Sequence, residues 1–304
     1  MTATRIGLVV AAWRRHYAVR FGDGETLSCV LKGRSTTLAC GDRVVVRRVA
    51  GGGVIESVEP RRSLVYRSDA FREKLVAANV DQIAAVVAPD LPVDLELLHR
   101  WGIAAAIERC RYLIVLNKSD LPGFDVLRTR AAPFGALGAV LAEISATRDI
   151  EPLVPEFRGR RSVLIGQSGM GKSTVLNGLV PGAQARVGEV STALDSGRHT
   201  TTEAALYELE GPDDGWIVDS PGMKTFGLAH ADPHRIDEAF VDIAPYVGRC
   251  RFRDCRHDRE PGCAVREAEA EGAIAECRIV AQIFSKALSM VCRSCSAQKS
   301  SRHR

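Results

Sequence analysis

Short runs in which hydrophobic and polar residues alternate fill the first part of the chain. These runs are rich in β-branched residues, and glycine-containing turn signals separate them. The predicted strands cover residues 6–10, 16–21, 27–31, 43–46 and 54–58. Because many short strands in few residues are typical of a small closed barrel, we predict an OB-fold over residues 1–60.

A second pattern extends over residues 71–228. Continuous apolar runs, typical of strands buried on both faces, alternate there with segments of helical spacing. The predicted strands are 82–88, 111–116, 139–144, 162–165, 204–209 and 216–218, with a helix over 93–109. This alternation predicts a mostly parallel sheet that binds its ligand at the carboxyl ends of the strands. The polar, basic stretch at 60–69 is predicted to be a linker.

Residues 229–292 form the third predicted domain. Helical spacing covers residues 235–240, a cluster of cysteine and histidine follows, and two helix-like pieces lie between residues 265 and 290. The tail at 293–304 is polar and basic, so we expect it to be disordered. The predicted fold class is multidomain α/β, with an N-terminal barrel and a C-terminal helical domain around the cluster.

A glycine-rich loop stands between the strand at 162–165 and the helical segment that follows. Its residues are Gly166, Gln167, Ser168, Gly169, Met170, Gly171, Lys172 and Ser173, followed by Thr174. Between a strand and a helix, this GxxxxGK[ST] spacing predicts a loop whose backbone N–H groups surround a polyphosphate. We expect Lys172 to reach the β- and γ-phosphates as a catalytic residue, and Ser173 to bind Mg²⁺. A glycine-rich turn that binds nothing is the alternative.

An NKxD pattern directly follows the strand at 111–116. Its carboxylate, Asp120, can accept hydrogen bonds from the N1–H and the exocyclic amine of guanine, whereas adenine offers no such pair of donors. We expect Asn117 to tie this loop to the base and the stem of Lys118 to lie along the ring. Beside a phosphate loop, the pattern favours GTP over ATP.

A DxxG pattern begins at Asp219, which we expect to hold Mg²⁺ through a water, and ends at Gly222, whose N–H would contact the γ-phosphate. The segment 197–202 lies between the phosphate loop and this pattern. A threonine there can complete the Mg²⁺ shell only while the γ-phosphate is present, so the segment is predicted to be a switch. Thr201 is the first candidate and Thr200 the second.

Hydrolysis also needs a residue that orients the attacking water. Met223 stands where many GTPases carry a glutamine for this purpose, so we expect slow intrinsic hydrolysis. His199, in the predicted switch, is a candidate catalytic residue that could orient the water instead. A histidine that only packs or faces solvent in this loop is an open alternative.

The order of these motifs is unusual for a GTPase. The NKxD pattern comes before the phosphate loop, as does the small pair Ser145 and Ala146, which could close over the base through backbone N–H groups. In an ordinary GTPase both come after it. We therefore predict a circularly permuted GTPase domain, a rearrangement that is tolerated because domain termini often lie close together at the surface.

Three cysteines and one histidine are clustered near the C-terminus: Cys250, Cys255, His257 and Cys263. This set predicts a closed, tetrahedral site of the structural kind that holds one Zn²⁺. Several arginines interleave with these ligands, among them Arg249, Arg251 and Arg253. The combination predicts a loop surface that contacts the phosphates of RNA.

Basic residues are also concentrated at the N-terminal end. Residues 1–70 contain twelve Lys and Arg against six Asp and Glu, a net charge of +6, whereas the whole chain carries +4. An RNA-binding face with Arg14, Arg15 and Lys32 is one interpretation, and a solvated face is the other. No apolar run approaches the ~18 residues that span a bilayer, and the start of the chain lacks a secretion signal. We expect a cytoplasmic monomer with no membrane contact.

Together these features resemble one family closely, the ribosome small-subunit-dependent GTPases called RsgA or YjeQ. The resemblance extends over residues 5–290 and rests on the permuted motifs, the four clustered ligands and the Glu-Pro-Gly at 260–262. It implies hydrolysis of GTP to GDP and phosphate, stimulated by the 30S ribosomal subunit, in late maturation of that subunit. It also implies contacts of all three domains with 16S rRNA. Cys292 and Cys295 are not part of the family pattern.

Three alternatives stay open on the sequence. One is a zinc-dependent RNA-binding module that uses GTP only as a structural switch. Another is a different ribosome- or RNA-associated GTPase, such as one that modifies tRNA, although such enzymes usually keep the ordinary motif order. The third is a kinase, against which the NKxD pattern argues because it favours guanine.

Overall fold

In the computed structural model, the N-terminal strands close into a barrel. The structure describes residues 4–13, 16–33, 37–68, 73–183, 204–209, 215–220, 233–240, 242–255 and 257–274. Within these ranges the barrel strands are β1 (Thr4–Trp13), β2 (His16–Arg20), β3 (Thr26–Leu31), β4 (Arg43–Val49) and β5 (Gly52–Val58). Their order is β1-β2-β3-β5-β4, and a β1–β4 pairing closes the ring. The predicted OB-like barrel is confirmed.

The barrel interior is filled by one face of each strand. Val9, Val19 and Cys29 are fully buried, and Phe21 and Ile55 belong to the same cluster. Successive side chains of a strand point to opposite faces, so the alternation in the sequence becomes the inside and outside of the barrel wall.

An antiparallel hairpin follows the barrel, formed by β6 (Leu64–Ser68) and β7 (Glu73–Ala78). Val65 and Val76 are buried in the main hydrophobic core. The predicted linker over residues 60–69 is therefore wrong in its second half, because polar neighbours on both sides obscured a short apolar strand.

A mostly parallel sheet follows in the chain. Its strands are β8 (Gln82–Val87), β9 (Arg111–Leu116), β10 (Val140–Glu143), β11 (Arg161–Ile165), β12 (Ala204–Glu208) and β13 (Trp216–Asp219). They are ordered β10-β9-β8-β11-β13-β12, and neighbours are parallel except for the antiparallel pair β12–β13. β8 is buried along its whole length, as a central strand of a covered sheet must be. The predicted parallel sheet is confirmed.

Helices lie between these strands in the chain: α1 (Leu95–Ile107), α2 (Phe124–Ala136), α3 (Val154–Phe157) and α4 (Lys172–Leu179). α1 begins after Asp94, whose carboxylate accepts a hydrogen bond from the Leu97 N–H at 3.1 Å. Its buried face carries Trp101, so helical spacing in the sequence predicted it correctly.

Helix α2 has no counterpart among the predicted elements. Its buried positions do have helical spacing, at Phe124, Leu127, Ala131 and Phe134. Pro133 lies inside the helix and three charged residues interrupt the apolar stripe, so the sequence did not predict this helix.

The C-terminal segment packs against the sheet domain. Helix α5 (Pro233–Glu238) is followed by a 3-10 turn (Ala244–Tyr246) and helix α6 (Ala264–Ala270). Ile236, Phe240 and Val265 belong to the same hydrophobic cluster as the sheet. The second predicted helix-like piece and the tail at 293–304 lie outside the described residues. Over the ranges that the structure describes, no helix has the length and apolar character needed to cross a membrane.

The barrel and the parallel sheet are hydrogen-bonded to each other. β1 pairs with β12 in antiparallel fashion, with Ala11 opposite Ala205 and Ala12 opposite Ala204. Barrel and sheet therefore form one continuous β-structure.

A tight turn at Gly41 makes a further contact between the barrel and the residues that lead into the sheet. Gly41 accepts a hydrogen bond from the Asn79 side-chain amide at 2.9 Å, and the Ala78 N–H donates to the Cys40 carbonyl at 2.8 Å. The backbone of Gly41 is left-handed, with φ of +91°. A Cβ at this position would lie 2.1 Å from the Ala78 carbonyl oxygen, so glycine is required by both conformation and space.

We expect Gly41→Ala to destabilise the protein by about 2 kcal/mol or more, because it adds a steric clash to the cost of a left-handed backbone. Gly24 provides a matched control, since its φ is +84° and no atom lies within 4 Å of an added Cβ. Gly24→Ala should cost only the backbone contribution, about 1 kcal/mol. The measurement is the urea midpoint of unfolding by circular dichroism. If both variants lost the same amount of stability, the close contact of Gly41 with Ala78 would not be what requires glycine.

Candidate functional site

The glycine-rich loop lies at the carboxyl edge of the parallel sheet. β11 ends at Ile165, which is fully buried, and the loop from Gly166 leads into helix α4. Lys172, at the start of α4, is buried, and its Nζ donates to the carbonyl oxygens of Gly166 at 2.8 Å and Gln167 at 2.9 Å. The ammonium group is therefore held inside the curve of the loop, while Ser173 and Thr174 are exposed in the first turn of α4.

Asn117 is the first residue of the NKxD pattern. Its side chain connects this pattern to the glycine-rich loop and to the Ser145–Ala146 pair. Its side chain is only 2% exposed. Nδ2 donates to the Met170 carbonyl at 3.0 Å, and Oδ1 accepts from the Ala146 N–H at 3.1 Å. The structure thus brings together three predicted motifs that are separated in the chain.

The close approach at Asn117 depends on a glycine. Gly171 has a φ of +92°, and a Cβ there would lie 2.3 Å from Asn117 Nδ2. Any larger residue would push the two loops apart, which explains why the pattern needs glycine at this position.

Asp120 is held by a neighbouring hydroxyl and a guanidinium group. Ser145 Oγ donates to Asp120 Oδ1 at 2.6 Å, and the Arg148 guanidinium lies 3.3 Å from Oδ2. The hydrogen bond from Ser145, with a smaller contribution from the charge of Arg148, lowers the pKa of Asp120 below its usual value. The carboxylate is therefore ionised and able to accept hydrogen bonds at neutral pH. Arg148 was not predicted as part of this site.

Lys118 connects the same loop to the glycine-rich loop from the other side. Its Nζ donates to the Gly169 carbonyl at 2.9 Å and to the Asp90 carboxylate at 2.6 Å. Leu91 packs beside the glycine-rich loop. Its Cδ1 would lie 2.8 Å from a Cβ added to Gly169. Asp90 and Leu91 were missed by the sequence reasoning, although they follow β8 at the sheet edge where ligands of such folds bind.

Asp219 ends β13, next to the strand that carries the glycine-rich loop, and pairs in register with Leu164. Burial raises the pKa of Asp219 to about 6, although the charge of Lys172 opposes this shift. Burial likewise lowers the pKa of Lys172, and Asp219 opposes that change. Lys172 and Asp219 are thus an ionisable pair, the first buried and the second half-buried, beside the loop predicted to hold phosphate.

Several predicted site residues lie outside the described residues. They are Thr201, Thr200, His199, Gly222, Arg14 and Arg15. Their predicted roles stay predictions.

The C-terminal cluster has the donor set and spacing of a zinc site. The ligand atoms of Cys250, Cys255, His257 and Cys263 all lie within 4.8 Å of one another. Cys250 Sγ is 3.9 Å from Cys263 Sγ, and His257 Nδ1 is 3.5 Å and 3.4 Å from these two sulfurs. Tetrahedral zinc with ordinary bond lengths would place its ligand atoms roughly 3.5–3.8 Å apart. The four residues therefore fit Zn²⁺.

A carboxylate faces the outer side of the histidine. His257 Nε2 lies 3.8 Å from Asp237 Oδ2, and both side chains are buried. A carboxylate on the second ring nitrogen commonly orients a metal-binding histidine. Asp237 is on α5, twenty residues earlier in the chain, and nothing in its sequence context pointed to this place.

The predicted RNA-contacting residues that the structure describes are exposed. Arg249, Arg251 and Arg253 stand around the cluster, and Lys32 directly follows β3 of the barrel. Their guanidinium and ammonium groups are thus accessible to a partner.

Comparison with known proteins identifies the family. Residues 58–229 match the family model described as RsgA GTPase. The chain belongs to the RsgA GTPase family. A relative from Nitrosospira multiformis is 46% identical over 275 residues, which cover 90% of this chain and 87% of the relative. One from Burkholderia pseudomallei is 45% identical, covering 94% and 93%. Both relatives are named small ribosomal subunit biogenesis GTPase RsgA.

Solved structures agree with the RsgA architecture. YjeQ from Thermotoga maritima matches with a TM-score of 0.70 and 29% identity, over 95% of this chain and 99% of the other. YloQ, described as a circularly permuted GTPase, matches in fold with a TM-score of 0.67 at 20% identity. The predicted family, fold class and permuted order are confirmed. Membership in a GTPase family also decides against the kinase alternative and makes GTP hydrolysis the chemistry of this chain.

The raised pKa of Asp219 yields a pH-dependent prediction. Because its pKa is raised in the folded protein, the contribution to stability is fully present below about pH 4 and is lost as the pH rises through about 6. At pH 8 the ionised, half-buried group is unfavourable. We expect Asp219→Asn to stabilise the nucleotide-free protein at pH 8 by on the order of 2 kcal/mol, and the gain to vanish near pH 4.

Calorimetric melting temperatures at the two pH values, without added Mg²⁺ or nucleotide, measure this difference. Asp125→Asn is the control, since that side chain is 91% exposed. A lower melting temperature for Asp219→Asn at pH 8 would show that the Lys172–Asp219 attraction outweighs burial.

Proposed function

We propose that this GTPase acts in the biogenesis of the small ribosomal subunit and hydrolyses GTP faster when bound to that subunit. The observation that carries the proposal is the similarity to small ribosomal subunit biogenesis GTPases at about 45% identity along most of the chain. The geometry of the sheet edge supports it, because the phosphate loop, the NKxD loop and the Ser145–Ala146 pair meet at one amide, that of Asn117.

Guanine recognition is assigned to the NKxD loop. The Asp120 carboxylate would accept hydrogen bonds from the guanine N1–H and exocyclic amine, with Ser145 holding one carboxylate oxygen in place. The stem of Lys118 would lie along the ring, with its ammonium group anchored to Gly169 and Asp90. To donate its backbone N–H to the base, Ala146 would exchange the hydrogen bond that it gives to Asn117. Adenine would leave the Asp120 carboxylate without its partners.

The phosphates are assigned to the glycine-rich loop, residues 166–171 with Ser173 and Thr174. Lys172 would exchange its hydrogen bonds with the Gly166 and Gln167 carbonyls for oxygens of the β- and γ-phosphates. Little reorganisation is needed, since the ammonium group is already inside the loop and shielded from water. Attack of water on the γ-phosphorus forms one P–O bond and breaks the bond to the bridging oxygen, releasing GDP and phosphate.

Residues for Mg²⁺ are found on both sides of this loop. We assign Ser173 and Asp219 to it, with Thr201 as the threonine of the first switch and Gly222 at the γ-phosphate. When bound, Mg²⁺ would offset negative charge on the β- and γ-phosphates. His199 is the proposed residue for orienting water. Because Met223 stands in place of the usual glutamine, slow turnover of the isolated protein and acceleration on the subunit are consistent with each other.

RNA contacts are assigned to the two ends of the chain. A Zn²⁺ held by Cys250, Cys255, His257 and Cys263 would fix the loop that presents Arg249, Arg251 and Arg253. On the barrel, Lys32 is exposed, and we assign RNA contacts to Lys32, Arg14 and Arg15. Guanidinium groups suit phosphates because they donate two parallel hydrogen bonds. 16S rRNA of the small subunit is the proposed partner.

GTP turnover with and without purified small subunits tests this function. We expect the wild type to turn over slowly alone and to be stimulated by subunits. Lys172→Ala should reduce both rates by at least about a hundredfold, because a buried charge aimed at the phosphates is removed. Arg158→Ala, an exposed change away from the site, is the control. Wild-type turnover that ignores the subunit would contradict the proposal, and residual stimulation in Lys172→Ala would contradict the role of Lys172.

Removal of Zn²⁺ should affect binding to the small subunit without affecting binding of GTP. We expect Cys263→Ser, or chelation of Zn²⁺, to weaken binding to small subunits by about tenfold or more, because the arginine loop loses its fixed shape. Affinity for GTP should stay within about twofold, since the two sites use separate residues. Co-sedimentation with subunits and binding of a fluorescent GTP analogue measure the two effects. A parallel loss of GTP affinity would show that the sites are not independent.

A further inference from the structure

An aromatic ring stands exposed at the tip of the C-terminal cluster. Phe252 lies between Cys250 and Cys255 and is 42% exposed. A single exposed apolar side chain is common at protein surfaces, so the neighbours of this ring decide what it could bind.

The backbone that carries Phe252 is held in shape. Its carbonyl accepts the Cys255 N–H at 3.3 Å, and the neighbouring Arg251 N–H donates to the Gly262 carbonyl at 2.9 Å. Both hydrogen bonds tie the loop to segments that end in cysteines of the cluster. Because the backbone of this loop is already ordered, less conformational entropy is lost when a partner stacks on the ring.

The surroundings of the ring are strongly basic. The Arg251 guanidinium lies 5.6 Å from the centroid of the Phe252 ring, in a cation–π arrangement. Arg249 and Arg253 are exposed on either side in the chain, and Asp254 is the nearest acidic residue in sequence. An aromatic ring next to several guanidiniums fits a ligand with a flat π-face joined to phosphates.

We propose that Phe252 is a stacking platform for an unpaired RNA base, with Arg251 against the ring and Arg249 and Arg253 on the flanking phosphates. This proposal rests on the proposed function, and it specifies single-stranded RNA as the element that the loop binds. A base in a duplex keeps its faces covered by its neighbours, whereas a base in a loop or bulge can leave the stack and lie on an aromatic ring. Stacking also tolerates any base, because every base has a π-face.

The test uses the full-length, zinc-loaded protein and a fluorescent single-stranded RNA of twelve nucleotides, with the duplex of the same sequence as a second probe. We expect Phe252→Ala to weaken binding of the single strand by about tenfold and to leave duplex binding within about twofold. Phe252→Trp should keep the affinity of the wild type. Its additional tryptophan emission, taken as the difference from wild type, should be quenched when the single strand binds.

Two controls separate stacking from structural damage. Zinc content of each variant shows whether the loop is intact. Val126→Ala, which removes another exposed apolar side chain on α2, should not change RNA binding. Unchanged single-strand affinity in Phe252→Ala, equal losses for strand and duplex, or no quenching in Phe252→Trp would each overturn the proposal.

Two further measurements, small-subunit binding of the variants and subunit-stimulated GTP turnover of the wild type, distinguish failure of the stacking proposal from failure of the proposed function. If Phe252→Ala weakens subunit binding but not binding of the single strand, the ring contacts a ribosomal protein and the stacking assignment is wrong. If the wild type binds the single strand through Phe252 but small subunits do not stimulate its GTP turnover, the proposed function fails while the stacking platform stands.

Discussion

The candidate nucleotide site depends on the side-chain amide of Asn117. The two ends of this amide are used by different loops, the donor by Met170 and the acceptor by Ala146. Because the amide is buried, leaving either end unpaired would cost free energy that the fold avoids only when all three loops are in place. Gly171 permits this approach, since any side chain there would occupy the space of the amide. The loops to which we assign phosphate and base are therefore fixed relative to each other by one residue.

The sequence was most informative where a function requires particular residues at fixed intervals along the chain. The loop ending at Lys172, the carboxylate at Asp120 and the ligands around His257 are required at fixed intervals, so their pattern is visible without a structure. The barrel and the parallel sheet were predictable because the alternation and the length of apolar runs record burial.

Contacts between distant segments could not be predicted in this way. Asp90 reaches Lys118, Arg148 reaches Asp120 and Asp237 faces His257, and in each case the partners are brought together only by the fold. None of these three contacts produces a recognisable sequence pattern, because one charged side chain can make such a contact from many positions in the chain. The missed elements β6, β7 and α2 have a related cause, since their apolar stripes are narrow and interrupted by polar residues or by Pro133.

The pairing of β1 with β12 has a consequence for the solubility of the fold. Without the barrel, the outer side of β12 would be an open row of backbone N–H and C=O groups at the end of a large sheet. Such an edge is a template for pairing with the same edge of another molecule. The barrel therefore also covers the start of that edge, at Ala204 and Ala205, and leaves a shorter row of backbone groups open to pairing with another molecule.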